Sequence, residues 1–294
     1  GYRLMDYILH ILILINIYII LVISLDLIAG YTGLLSIAHA AFYGIGAYAT
    51  ALLSLHFQTN FLLNMLFGMA GAAVLGVIIA FPSLRIHDDY FVIATFGFQM
   101  IVYSIFNNWV DLTRGPLGIP GIPVASLFGF VVDNHWKFLI LSAIFAFLAY
   151  LLVHKLVNSP YGRVLKAIRE DEVFAQSLGK NVNFYKIQVF VIGGAIASVA
   201  GNLYAHYITF IDPTSFTILE SILVISMVII GGAGSLRGPI IGAVVLVVLP
   251  EALRFVGLPS SVAANLRQIF YGSLLVLMML YRPQGLVGEF NLQK

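Results

Sequence analysis

The chain has 294 residues, of which 61% are hydrophobic and 10% are charged, and its net charge is +2. A soluble domain usually carries about 25% charged residues, so the composition excludes an ordinary water-soluble domain. The small net charge gives no reason to expect nucleic-acid binding, and the absence of cysteine excludes disulfides and thiol chemistry.

About nine apolar runs follow one another along the chain, and most approach the roughly 20 residues that a helix needs to cross the bilayer. They are apolar on every face, whereas the strands of a membrane barrel would alternate. We therefore predict an all-α, polytopic membrane protein with about nine transmembrane helices (eight to ten) in a single domain over residues 1–294. The runs cover approximately residues 7–28, 39–57, 61–83, 90–106, 136–157, 187–210, 217–231, 239–255 and 265–281.

The first run is too long for the apolar region of a signal peptide and follows no strongly basic segment, so we expect it to remain as a mature span. The second follows the motif "GYTGLLSIAHAAFYGIG" at residues 30–46. Gly30 and Gly33 predict a broken or re-entrant backbone, and Gly44 and Gly46 predict close helix packing. His39 has two interpretations, donation to carbonyls freed by the break or lining of a pathway.

The connection between the fourth and fifth runs is rich in Pro and Gly. We expect an ordered irregular loop with a short interfacial helix, flanked by Trp109 and Trp136 as interfacial anchors.

The most polar segment, residues 158–186, carries the densest group of basic side chains, so the positive-inside rule places it in the cytoplasm. Its basic residues are Arg163, Lys166, Arg169, Lys180 and Lys186. Alternation from this loop puts the N-terminus outside and Arg85, Arg237 and Arg282 inside. Arg254 and Arg267 then fall outside, which conflicts mildly with the rule.

Residues 231–236, "GGAGSL", repeat the Gly-x-x-Gly-x-Leu spacing of residues 30–35, "GYTGLL". Glycine-interrupted helices at corresponding positions are typical of transporter pathways, although a chance match is an equal alternative. The predicted topology gives both stretches the same orientation, whereas an inverted repeat requires opposite ones. The candidate pathway residues are Gly30, Gly33, Ser36, His39, Glu220, Gly231, Gly232 and Gly234.

Three carboxylates lie in or beside the apolar runs, where a charge at mid-bilayer costs roughly 2.5 to 3.5 kcal/mol. Asp26 and Glu251 lie near the ends of their runs, so we expect both to snorkel to the interface. Glu220 lies about one turn inside its run, and a wet cavity and a neighbouring subunit are equal alternatives for its surroundings.

The cytoplasmic segment opens with "SPYG", and the residues that follow predict one amphipathic helix over 164–179 that stops at Gly179. Its predicted shared face carries Val164, Ala167, Ile168, Asp171 and Ala175. Such a helix is suited to docking in a groove of a cytoplasmic partner, and an ordinary solvated loop is the alternative.

Within this segment "EVFAQSLGKNV", residues 172–182, resembles the Glu-Ala-Ala…Gly coupling-loop signature of bacterial ABC importer permeases. With five further segments in the same order, the chain resembles the M-type membrane subunit of branched-chain amino-acid ABC transporters. The further segments are "GYTGLLSIAHAAFYGIGAYATALL" (30–53), "LTRGPLGIPGIP" (112–123), "SPYGRVLKAIRED" (159–171), "VIIGGAGSLRGPIIGAVV" (228–245) and "YRPQGLVG" (281–288).

The resemblance implies a permease of the bacterial cytoplasmic (inner) membrane with several partners. These are a second homologous permease, two cytoplasmic ATP-binding subunits and a periplasmic or lipid-anchored substrate-binding protein. It also implies that coupling to the ATPase involves Arg169, Glu170, Glu172, Ala175 and Gly179. The sequence departs from the signature at Phe174, where Ala is usual, and at Lys180, where an apolar residue is common.

No phosphate-binding G-x-x-x-x-G-K-[ST] loop is present, so we expect ATP hydrolysis on separate subunits. No spacing predicts a metal site, a cofactor site or a catalytic constellation, and we expect no enzyme activity. Alternatives are a urea or short-amide ABC permease, an ion-coupled secondary transporter with Asp26 or Glu220 as coupling group, and a structural subunit.

Overall fold

A computed structural model describes residues 2–83, 88–254, 260–282 and 284–287. Arg85, expected inside, lies outside these ranges. The α-helices are α1 (Tyr2–Ala29), α2 (His39–Phe57), α3 (Phe61–Ser83), α4 (Asp88–Asn108), α5 (Val110–Thr113), α6 (His135–Val157), α7 (Pro160–Glu170), α8 (Glu172–Ser177), α9 (Val182–Ile208), α10 (Ile218–Gly231), α11 (Arg237–Arg254) and α12 (Ser260–Tyr281).

Each predicted apolar run coincides with one of these helices, and the boundaries agree to within a few residues. Among the described residues, six helices are long and apolar enough to cross a membrane, namely those within α1, α2, α3, α4, α6 and α9. Helix α10 is apolar but has only 14 residues. The predicted helical membrane architecture is therefore supported, and the count of about nine spans stays a prediction.

Helices α1, α2 and α9 form the centre of the bundle. More than half of the most apolar window is buried in each of these three, against 28% in α3, α4 and α6. Helix α9 packs on α1, α2 and α3, while α1 also packs on α6, α10 and α11. The exposed apolar faces of α3, α4 and α6 suit them to lipid contact.

The crossing of α2 and α9 depends on small residues, as the motif at residues 30–46 predicts. A methyl group added at Gly46 would lie 2.0 Å from the Ser198 carbonyl oxygen, and one at Gly201 would lie 2.0 Å from that of Tyr43. Backbones this close exclude any larger side chain. The predicted packing role of Gly46 is confirmed.

The connection between α4 and α6 contains the predicted short helix, α5, and also short strands that the all-α expectation did not include. Strand β1 (Ile119–Pro120) pairs antiparallel with β4 (Phe210–Ile211), with Ile119 opposite Ile211. Strands β2 (Ser126–Leu127) and β3 (Phe130–Val131) form a second antiparallel pair. The first pair fixes this loop against the end of α9.

Candidate functional site

The cytoplasmic segment forms two helices, so the single helix predicted over 164–179 is wrong. Asp171 lies between them in an extended conformation (φ −157°, ψ 105°), and its carboxylate accepts a hydrogen bond from the Phe174 amide at 2.9 Å. It therefore caps the N-terminus of α8 and ends α7. An aspartate favours this position because its side chain satisfies an amide that has no intrahelical partner.

The predicted stop at Gly179 is confirmed. The Gly179 amide donates to the Gln176 carbonyl at 2.9 Å, and the Lys180 amide donates to the Ala175 carbonyl at 3.2 Å. Gly179 has φ +78°. These two hydrogen bonds, together with a glycine in the left-handed conformation, form a Schellman motif, which ends α8 after Ser177.

The predicted shared face is confirmed in part, since Val164, Ile168 and Ala175 contact one small core, whereas Asp171 is exposed. Gly162, Leu165 and Ile168 are buried, and Ile168 forms a small core with Ala175 and Val182. Because the break at Asp171 changes the direction of the chain, helical spacing cannot be extended from α7 into α8. Ala175 is buried in this core, so its side chain holds α8 on the permease, and its part in coupling to an ATPase stays a prediction.

An ion pair joins α8 to the start of α9. Lys186 Nζ lies 2.6 Å from Glu172 Oε2, and the side chains are 7% and 35% exposed respectively. A lysine this buried requires a carboxylate, because an unpaired ammonium there would lose its hydration without compensation. Glu172 therefore holds α8 on the permease, and only part of the side chain is accessible to another subunit.

Arg169 faces inward as well. Its Nη1 donates to the Gly30 carbonyl at 2.8 Å, its Nη2 lies 3.0 Å from Glu170, and the side chain is 12% exposed. The carbonyl belongs to the break after α1. The sequence grouped Arg169 with the docking residues, but its guanidinium connects the cytoplasmic segment to the membrane bundle.

Two apolar side chains of α8 and one at its C-cap are exposed to solvent, beside the exposed polar residues Gln176 and Ser177, and the sequence pattern did not single them out. Val173 is 75% exposed, Phe174 59% and Leu178 62%. Each lies in the polar segment outside the membrane helices, where lipid contact does not account for an exposed apolar side chain. We call Val173, Phe174 and Leu178 the α8 tip. The departure from the signature at Phe174 was the one sequence signal for it.

The two glycine stretches that share a spacing lie together in space. Asp26 is fully buried, and its Oδ1 accepts a hydrogen bond from the Gly234 amide at 2.8 Å. A methyl group added at Gly30 would lie 2.0 Å from Asp26 Oδ1 and 2.3 Å from the Gly234 nitrogen. The expected snorkelling of Asp26 is therefore wrong, because its carboxylate bonds the second glycine stretch.

The spacing match between the stretches extends to the backbone. Gly33 and Gly234, the second glycines of the two motifs, have φ +80° and +79°. A residue with a Cβ rarely adopts this conformation, so each turn requires glycine at the same motif position. Gly33 also lies beneath the coupling segment, since a methyl group there would be 3.2 Å from Arg169 Cγ.

Ser36 and His39, both candidate pathway residues, are buried in this conformation, each 1% exposed. His39 Nε2 lies 2.8 Å from Ser24 Oγ and 3.1 Å from the Leu21 carbonyl oxygen. Leu21 lies inside α1 and not at the break, so donation by His39 to a carbonyl freed by the break also stays a prediction. Lining of a pathway by either residue stays a prediction.

The remaining acidic candidates pair with tyrosines. The Tyr18 hydroxyl donates to Glu220 Oε1 at 2.6 Å, and the Tyr7 hydroxyl donates to Glu251. Gly231 and Gly232 are buried where α10 and α11 meet, since a methyl group at Gly231 would lie 1.9 Å from the Gly238 carbonyl oxygen. Within the described ranges, no three His, Asp or Glu side chains are grouped as metal ligands.

The family described as "Branched-chain amino acid transport system / permease component" matches residues 7–279 of the chain. The chain belongs to this family. It is therefore a transport permease rather than an enzyme, and a multi-pass membrane protein.

Among relatives of this permease, the high-affinity branched-chain amino acid transport system permease protein LivM of Escherichia coli K12 is 36% identical, over 92% of this chain and 68% of its own length. The probable LivM of Methanocaldococcus jannaschii is 30% identical, over 74% of this chain and 65% of its own. The high-affinity branched-chain amino acid transport system permease protein LivH of Escherichia coli K12 is 28% identical, over 94% of this chain and 93% of its own length. No solved structure matches the chain.

Proposed function

We propose that this permease is a membrane subunit of an ATP-driven importer for branched-chain amino acids, and that the α8 tip docks on an ATP-binding subunit. The observation that carries the proposal is the apolar α8 tip itself. A capping aspartate, a Schellman turn and the Lys186–Glu172 pair hold it rigidly toward the solvent. Exposed apolar side chains held in place on a polar segment are suited to bind in a groove of a partner protein.

The resemblance and the named relatives support the remaining parts of the assembly. These are a second, homologous permease, two ATP-binding subunits and a substrate-binding protein, in the bacterial cytoplasmic membrane. ATP hydrolysis belongs to the separate subunits. The coupling loop over residues 158–186 then lies in the cytoplasm, within a single permease domain over residues 1–294.

We infer that movement of α8 reaches the membrane through Arg169. The guanidinium holds the Gly30 carbonyl, Gly30 contacts Asp26, and Asp26 holds the Gly234 amide. A shift of the coupling segment thereby acts on both glycine stretches together. The proposed pathway residues are Gly30, Gly33, Ser36, His39, Glu220, Gly231, Gly232 and Gly234, which would become accessible when this junction opens.

The docking proposal is tested with Phe174→Asp in the assembled transporter reconstituted in proteoliposomes. We expect ATP-driven leucine uptake to fall at least about tenfold, because a charge replaces a buried contact at the interface. Phe128→Asp is the matched control, since Phe128 is 89% exposed in the turn between β2 and β3. Uptake that survives in Phe174→Asp would contradict docking through the α8 tip.

The Arg169 link is tested separately, with Arg169→Met and with Arg163→Met as an exposed control on the same helix. Loss of a charge-assisted hydrogen bond costs roughly 1.5 to 3 kcal/mol, so transport should weaken by about tenfold or more. ATPase binding should persist, because the α8 tip is intact. Equal transport in both variants would exclude the link.

The alternatives make different predictions in the same vesicles. If excess urea or a short amide inhibits leucine uptake as strongly as excess valine does, an amide permease is favoured. Gradient-driven uptake by this chain without any ATP-binding subunit would favour a secondary transporter, with Tyr18-bonded Glu220 as the first residue to substitute.

A further inference from the structure

A cavity of about 380 Å³ lies where the end of α6, helix α7 and the loop before α11 meet. Its described walls include three basic side chains, Lys166, Arg237 and His154, and no aspartate or glutamate. Tyr31, Tyr150 and Ser235 add polar groups to the same walls. The cavity therefore has a positive lining with room for a small anionic group.

The two permanent cations at this cavity are not neutralised by the described part of the chain. None of the ion pairs found there includes Lys166 or Arg237. Lys166 Nζ lies 5.6 Å from the centre of the Tyr31 ring, a contact that orients the ammonium without cancelling its charge. Each cation is thus available to an external anion.

Helix α11 strengthens the positive field, because it begins at Arg237 on the cavity wall. The first turn of an 18-residue helix presents amide donors and the positive end of the helix dipole. Ser235 Oγ already accepts a hydrogen bond from the Gly238 amide at 3.2 Å, so this turn is held in place.

The lipid-facing side of α6 leads directly to the cavity. Ile140, Phe147 and His154 are seven residues apart and so share one helix face. Ile140 is 60% exposed and Phe147 is 61% exposed, while His154 lines the cavity. An acyl chain that lies against Ile140 and Phe147 therefore brings its headgroup to Lys166 and Arg237.

We propose that this cavity binds the phosphate headgroup of an anionic phospholipid. The charge-derived orientation puts it at the cytoplasmic surface, where anionic lipids attract basic residues at roughly 1 kcal/mol each. Because Lys166 belongs to α7 and Ser235 to the second glycine stretch, the bound lipid braces the coupling segment against the loop before α11. This goes beyond the proposed transport function.

The experiment measures lipids retained by the purified full-length chain after exchange into nanodiscs of phosphatidylglycerol and phosphatidylcholine in equal amounts. We expect phosphatidylglycerol to be enriched around the chain, and each cation removed by Lys166→Gln and Arg237→Gln to lower that enrichment about fivefold. Lys155→Gln with Arg163→Gln is the matched control, since both side chains are exposed and neither lines the cavity. Lys166→Arg with Arg237→Lys keeps the charge and should keep the enrichment.

Equal losses in the control pair, or no enrichment in the unaltered chain, would overturn the proposal. A second arm adds inorganic phosphate at millimolar concentration, to separate a lipid from a soluble anion. Phosphate that displaces phosphatidylglycerol completely would overturn the lipid as the ligand. The readout needs neither ATP nor transport, so its result is independent of the proposed function.

Discussion

Gly30→Ala is the sharpest perturbation of the junction between the two glycine stretches. The added methyl group would lie 2.0 Å from Asp26 Oδ1 and 2.3 Å from the Gly234 nitrogen, the two atoms that form one hydrogen bond. Neither atom is at the end of a flexible chain, since Gly234 contributes backbone and Asp26 is fully buried. The variant must therefore separate the two stretches.

The cost has two parts. A buried amide that loses its hydrogen-bond partner costs about 1 to 3 kcal/mol, and an extra methyl group in a packed interior typically costs about 1 to 3 kcal/mol. The parts overlap, because the same displacement relieves the clash and breaks the bond. We expect the free energy of unfolding to fall by roughly 2 to 4 kcal/mol.

The assay is equilibrium unfolding in mixed detergent micelles, with Gly97→Ala as the matched control. Gly97 lies within α4, and a methyl group there meets no atom within 4 Å. Because alanine favours helix, the control should be neutral or about 0.5 to 1 kcal/mol more stable. Equal stabilities for Gly30→Ala and Gly97→Ala would refute the described contact of the two glycine stretches.

The Lys186–Glu172 pair predicts an asymmetry, in which Glu172→Ala costs more stability than Lys186→Met. Removal of the carboxylate leaves an ammonium that is 7% exposed, at a cost of about 2 to 4 kcal/mol, whereas a glutamate 35% exposed keeps part of its hydration. Thermal unfolding of both variants checks this, and equal losses would contradict the burial. At the α2 and α9 crossing, Gly46→Ala should destabilise by about 2 kcal/mol or more, because the methyl group would lie 2.0 Å from the Ser198 carbonyl oxygen. Proteolysis of the variant in nanodiscs measures this, and resistance equal to the unaltered chain would count against it.

Sequence reasoning was most successful where one local property decides the structure. Apolar run length located the helices, and glycine located both the break after α1 and the end of α8. It failed at Asp171, because an aspartate is found both at helix N-caps and inside helices. Only the backbone conformation at Asp171 shows that it is an N-cap. It could not identify the partner of Arg169, since helical spacing gives a face but not the neighbour that the face meets.

The sequence by itself determined that the chain lies in a membrane, where its helices are and which family it resembles. It could do so because the length of apolar runs, the spacing of glycines and the order of motifs are properties of the chain alone. Only the tertiary structure decided that Arg169 bonds Gly30, that Asp26 bonds Gly234 and that the α8 tip stays exposed. These contacts join residues up to 208 positions apart. Such pairings follow from how helices pack in three dimensions, and no local spacing encodes which distant backbone amide a buried carboxylate meets.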